Sequence, residues 1–274
     1  MTKDALYVTE IWHETPSENP YYAKACYCYG YNIYEDVLAK AAYPDYLYLL
    51  LTGQRPTKDM SQLFEKVLIA LAHPGLRDPS VRAAMNAGVG GSRAAAALMG
   101  AIAVGAGQAG GAHELRLSLL ITQQAKNDIT QWSNQFKSLF ENQVCDVWPA
   151  LEFVPGFDPH QATASQITLK MLDVFAAHAG AQSQSAWLLQ HYKQLEQQLG
   201  YGLNFIGATA SALFDLHFTP EIAEYFFMIA RLPGAAIHAQ ESRQLGHKKH
   251  PFFTDWPVLL NDPGPVNQSK EIQP

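Results

Sequence analysis

Apolar residues along this chain recur mostly at helical spacing. Asp45–Leu51 is a short apolar run that stops at Thr52-Gly53, where Gly53 suits a helix C-cap. Asp78-Pro79 predicts a helix start, the aspartate as N-cap and the proline in the first turn. Beyond it, Val81, Ala84, Met85 and Val89 fall on one helical face. Thr219-Pro220-Glu221 repeats the start signal, with Ile222, Tyr225, Phe226 and Ile229 as the expected apolar face. Ser185–Leu199 reads as an amphipathic helix rich in glutamine. Clear period-two alternation is scarce, so the pattern predicts an all-α class. Trp148–Pro159 holds three prolines and a glycine and is expected to be a loop or domain joint. The tail from about Asn261, rich in Pro, Asn and Gln, is expected to fray. No internal repeat is present.

Composition narrows the function classes. With 274 residues, 48% of them hydrophobic and 16% charged, the chain can bury a sizeable core and form one large domain, or one with a smaller domain inserted. A net charge of −6 argues against nucleic acid and against an anionic membrane surface as partners. The most apolar stretch, Ala94–Ala109, is mostly Ala and Gly and falls short of the roughly 20 apolar residues a bilayer requires. Three cysteines, Cys26, Cys28 and Cys145, suggest a reducing compartment without a disulfide framework. Cys26-x-Cys28 has no second pair at metal-ligand spacing, so no metal site is expected. The N-terminus lacks the apolar core and cleavage site of a signal peptide, and the expected location is the cytoplasm.

Gly105–Gly110, GAGQAG, matches the glycine spacing of a dinucleotide-binding turn. The preceding SRAAAALMGAIAV is long and Ala-rich, which predicts a helix where that turn needs a strand. Close helix packing through small residues is the reading that fits.

Three blocks in order resemble the citrate synthase / citryl-CoA lyase family. Gly30–Thr57 resembles the N-terminal signature, a GYDI-type start running to LLLTG-x-x-PT. Leu71–Glu114 resembles an Ala/Gly-rich helix pair that runs into a HGGA turn. Gly202–Glu241 resembles the block with an NVDF motif, a helix and AR-x-x-G. The middle, about Leu115–Leu199, matches poorly. The resemblance implies a nearly all-helical citrate synthase-like fold, with a large domain (1–112 and 212–274) and a smaller inserted one (113–211). It implies a homodimer with the active site between domains. It also implies making or cleaving a C–C bond between an acyl-CoA such as acetyl-CoA and a 2-keto acid such as oxaloacetate. Coenzyme A thioester or citryl-CoA would enter as substrate, with no further cofactor.

In the family, a carboxylate removes a proton from the thioester α-carbon, one histidine stabilises the enol and a second polarises the keto carbonyl. Here the first histidine falls on Ala109 and the NVDF aspartate on Asn204, an amide that can donate but cannot act as a base. The second histidine falls on Asp158 in PGFDPH, or on His160 if two residues are inserted. Arg231 in IARLPG matches a family arginine that binds a substrate carboxylate. Gly246-His247 in GHKKH lies too late in the chain to be that histidine loop and is expected to be a basic C-terminal loop. A relocated catalytic set of His113, Asp158, His160 and Asn204 is one reading. It places His113 one helical turn from Ala109 if the chain is helical there. A second reading is different thioester chemistry on the same scaffold. A third is a non-catalytic relative that binds CoA thioester or pairs with an active partner chain.

Overall fold

The computed structural model describes residues 8–141 and 154–247. Cys145, the first half of the expected joint at Trp148–Pro159, the tail from Asn261 and the end of the GHKKH motif lie outside the described residues. The chain opens with a three-stranded antiparallel sheet, β1 (Trp12–Pro16), β2 (Ala23–Cys28) and β3 (Tyr31–Asn32), in that order. Trp12 pairs with Cys28 and Thr15 with Ala25. Most of these residues are half-buried, so neither long strand shows the clean alternation that would have announced it. A π-helical turn (Ile33–Val37) and the short α1 (Leu38–Lys40) follow. Asn32 starts that turn, its side-chain oxygen accepting from the Tyr34 and Glu35 amides.

The remainder is helical apart from one small ladder. The elements are α2 (Tyr43–Thr52), α3 (Lys58–Ala72), α4 (Pro79–Val89), α5 (Ala94–Gly105), α6 (Ala112–Ala125), α7 (Ile129–Glu141), β4 (Phe157–Asp158), α8 (Gln166–Ala179), α9 (Gln184–Leu199), β5 (Gly202–Leu203), α10 (Phe205–Asp215), α11 (Pro220–Ala230) and α12 (Leu232–Leu245). The expected caps are present. Gly53 closes α2 in the left-handed region at φ 71°. The Asp78 side chain accepts from the Ser80 and Val81 amides at the start of α4, and Thr219 accepts from the Ile222 amide at the start of α11.

One face differs from expectation. In α11 the buried set is Pro220, Ala223, Phe226, Phe227 and Ala230, while Tyr225 and Ile229 are exposed. The helix is apolar nearly all round, so two sets satisfy helical spacing. The face carrying two alanines packs inward, where α6 approaches.

Two hydrophobic clusters fill the interior. In the first, Tyr48, Phe64, Phe218 and Phe226 pack as edge-on and tilted ring pairs with centroids 5.1–5.9 Å apart. The buried Tyr48 hydroxyl donates to the Leu216 carbonyl at 2.9 Å. The second gathers Trp132, Phe136, Phe157, Leu172, Leu188 and Leu203. Helices α6, α8 and α10 contribute side chains to both. A third cluster is made of alanine alone, Ala84, Ala97, Ala101, Ala235 and Ala239, where α4, α5 and α12 meet. There a Cβ on Gly88 would lie 2.2 Å from the Ala239 carbonyl oxygen, so backbones touch. Gly105 ends α5 against the Ser80 side chain. The first glycine of GAGQAG thus closes a helix and serves packing.

Candidate functional site

The candidate site forms around a turn that no single helix owns. Between α5 and α6 the chain reverses through Gly107–Gly111. Gly110 sits at φ +69°, and Gly111 is folded so tightly that a Cβ there would lie 2.3 Å from the Gly107 oxygen. Helix α6 begins only at Ala112, with Gly111 as an extended N-cap. Ala109 therefore lies in the exposed turn and not on the helix. The one-turn helical relation expected between Ala109 and His113 does not hold, because these two glycines break the helix between them.

The side chain that organises the region is Glu114, in the first turn of α6. Only 2% of it is exposed. One carboxylate oxygen, Oε2, accepts from the Gly110 amide at 2.6 Å. The other, Oε1, accepts from the Gly156 amide at 3.0 Å and from Asn204 Nδ2 at 2.8 Å. Three chain segments thus meet on one carboxylate. Burial pushes the Glu114 carboxyl above its ordinary value. The three hydrogen bonds pull it down, and the nearby Asp158 charge adds to the rise.

The segment on the far side is equally tight. Strands β4 and β5 pair Phe157 with Leu203 and Asp158 with Gly202. The Asn204 amide extends this ladder by donating to the Gly156 carbonyl at 3.0 Å. Gly156, at φ +92°, backs onto Gly207, whose Cβ would lie 2.4 Å from the Gly156 oxygen. A second buried carboxylate, Glu196, fastens the same region by accepting from the Ala164 and Leu203 amides.

The structure brings some of the expected residues together. Asn204 is the N-cap of α10, its Oδ1 accepting from the Gly207 amide at 3.0 Å while Nδ2 serves Glu114. Asp158 is half-buried and accepts from the His160 amide at 2.8 Å, with His160 itself exposed. His113 is half-buried beside Glu114 in sequence and, among the described residues, makes no hydrogen bond to the others. Arg231, at the junction of α11 and α12, is 5% exposed. It pairs with Asp78, donates to the Gly110 carbonyl at 3.0 Å and lies 4.5 Å over the Phe227 ring. Burial lowers its pKa to about 10, so it stays cationic at neutral pH. Gly110 is thereby held at its N–H by Glu114 and at its carbonyl by Arg231.

Glu114 is the residue that sequence reasoning missed. Its position, two residues past the matched Gly110-Gly111-Ala112, suits an ordinary acidic first-turn residue facing water. Its partners lie 42 and 90 residues away. The available signal was the poor match elsewhere: a lost aspartate and a lost histidine ask which carboxylate remains.

Three solved structures share the architecture. Citryl-CoA lyase from Hydrogenobacter thermophilus superposes with a TM-score of 0.68 at 19% identity, covering 92% of this chain and 92% of its own. ATP citrate lyase from Methanothrix soehngenii, in complex with citrate and coenzyme A, gives 0.66 at 14% identity, covering 94% of this chain and 42% of its own. The D541A mutant of Methanosaeta concilii ATP citrate lyase, in complex with (3S)-citryl-CoA, gives the same values. No protein-family model matches the sequence and no curated protein matches it. On the element order and these superpositions, the chain has the citrate synthase-like fold that it shares with citryl-CoA lyase.

Proposed function

We propose that this protein makes or cleaves the C–C bond between the acetyl group of a CoA thioester and oxaloacetate, in the manner of a citryl-CoA lyase. The observation that carries this reading is the convergence of the 107–111 turn, the 156–158 loop and Asn204 on Glu114. Two of the three blocks that resemble the family, Leu71–Glu114 and Gly202–Glu241, are thus joined to the PGFDPH loop, although two of the family's side chains have changed. In the cleavage direction, a base takes the proton of the tertiary alcohol and the C–C bond breaks to a ketone and a thioester enolate. The enolate then takes a proton on carbon.

Asp158 is the base in this reading, because the Glu114 oxygens are spent on three hydrogen bonds. The second N–H of Asn204 Nδ2 and the His113 imidazole are the donors for the enolate oxygen. Arg231 acts through the turn whose carbonyl it holds. A homodimer fits the same reading, since α5 exposes Met99, Ile102 and Val104 along an apolar helix. Size-exclusion chromatography with light scattering tests that part.

The second reading, a non-catalytic binder of CoA thioesters, is favoured by Ala109. It sits at the exposed part of the turn and offers no side-chain donor. The deciding experiment incubates the protein with citryl-CoA, and separately with acetyl-CoA plus oxaloacetate, followed by mass spectrometry. Conversion that falls at least about 100-fold in Asp158→Asn and His113→Ala supports the enzyme. Conversion unchanged by both substitutions overturns the assignment of roles. Binding of CoA thioester without conversion selects the second reading.

A further inference from the structure

We propose that His73 and His238 form a two-histidine site for a divalent transition-metal ion, on the face where α3 meets α12 and apart from the Glu114 region. His73 is the C-cap residue of α3, and His238 lies in the second turn of α12. Gly234 lets the two elements touch: a Cβ there would lie 2.7 Å from the Ala72 carbonyl oxygen and 3.0 Å from the His73 Cα. That contact brings two imidazoles, 165 residues apart in sequence, edge to face with Nε2 atoms 2.8 Å apart.

The protonation pattern follows from the third member. His238 Nδ1 lies 3.0 Å from Glu241 Oε2, so its N–H points at the carboxylate. The His238 Nε2 then carries a lone pair, and the His73 Nε2–H donates to it. A carboxylate behind one ring nitrogen with a free lone pair on the other is the arrangement that orients a metal-bound histidine. An ion entering between the rings takes both Nε2 lone pairs, the His73 proton moving through water from Nε2 to Nδ1 so that the ring stays neutral.

The spacing selects the kind of ion. Two nitrogens each about 2.0–2.1 Å from one ion lie about 2.9 Å apart at a right angle and about 3.4 Å apart at the tetrahedral angle. The observed 2.8 Å is set by the hydrogen bond between the rings and lies nearer the right-angle value, so tetragonal Cu(II) or Ni(II) needs less ring movement than tetrahedral Zn(II). Among the described residues no group of three protein ligands converges, so water completes the coordination. The exposed His73 ring gives the ion a path in.

The test uses the untagged full chain with Cu(II), Ni(II) and Zn(II) in equilibrium dialysis, and with Cu(II) in electron paramagnetic resonance. One ion per chain is expected, with hyperfine splitting from two nitrogens. His73→Gln and His238→Gln should each weaken binding at least about 100-fold, and Glu241→Gln about 10–100-fold. His247→Gln should leave affinity unchanged. Ni(II) should raise the melting temperature of the wild type and of neither histidine variant. Circular dichroism establishes that the variants fold. Absence of binding at micromolar ion overturns the proposal, and so does binding that survives both histidine substitutions.

Discussion

Replacing Glu114 in two ways separates its charge from its hydrogen bonds. In Glu114→Gln, the amide oxygen can keep the Gly156 amide and Asn204 Nδ2, while the new NH2 group faces the Gly110 amide. Gly110 is exposed, so water can take over its N–H. Against that small loss, the variant removes a buried carboxyl that has no cation bonded to it and whose ionisation burial disfavours. At pH 7, Glu114→Gln should therefore be neutral to mildly stabilising. Glu114→Ala leaves the buried Gly156 N–H without an acceptor and Asn204 Nδ2 without its partner. At about 1–3 kcal/mol for an orphaned buried donor, plus the loss at Asn204, it should fall about 3 kcal/mol below the glutamine variant. With a urea m-value of about 3 kcal/mol/M, the midpoint drops by about 1 M.

The pH dependence carries the opposite sign to that of an ordinary paired carboxylate. Burial raises the folded pKa of Glu114 above its ordinary 4.5. The folded state therefore binds more protons than the unfolded one between the two values, and stability falls as pH rises through that window. Glu114→Gln removes this fall, which one group can make no steeper than about 1.4 kcal/mol per pH unit. Urea melts followed by far-ultraviolet circular dichroism between pH 4 and 8 measure both effects. Equal midpoints for the Gln and Ala variants would refute the hydrogen-bonded hub. An unchanged pH slope in the glutamine variant would refute the raised carboxyl.

Asp78→Ala strands the buried Arg231 guanidinium and removes the α4 N-cap, so it should cost about 3–5 kcal/mol, read from the urea midpoint. Gly88→Ala drives a Cβ to 2.2 Å from the Ala239 oxygen and should destabilise by at least about 2 kcal/mol, because backbone stands on both sides of the clash. A melting temperature within 1 °C of wild type, against the several degrees such a cost implies, would show that α4 and α12 are farther apart. Tyr48→Phe leaves the Leu216 carbonyl without its donor at constant shape and should cost about 1–2 kcal/mol in the same melts.

Much of the fold was legible because its punctuation is local. Asp78-Pro79, Thr219-Pro220 and Thr52-Gly53 each mark a helix end through groups within a few residues. The Ala-rich run before GAGQAG announced a helix, and its small residues pack as expected. The face of α11 was ambiguous, since periodicity alone cannot choose between two apolar stripes. The N-terminal sheet stayed hidden because its strands are half-buried on both sides. The site was legible only as a set of gaps, Ala109 and Asn204. What fills the region is a glutamate whose partners come from distant segments, and the sequence marks none of those pairings.

The grip on Gly110 separates the shape of the turn from the identity of its outward-facing residue. The backbone is fixed from behind by Glu114 on one side and by Arg231 with Asp78 on the other. Position 109 takes no part in that fixing. The scaffold is thus robust to substitution at the exposed position 109, and a side chain there can be lost or regained without renegotiating the fold. Ala109→His would then act as an exchange of tools on an unchanged handle.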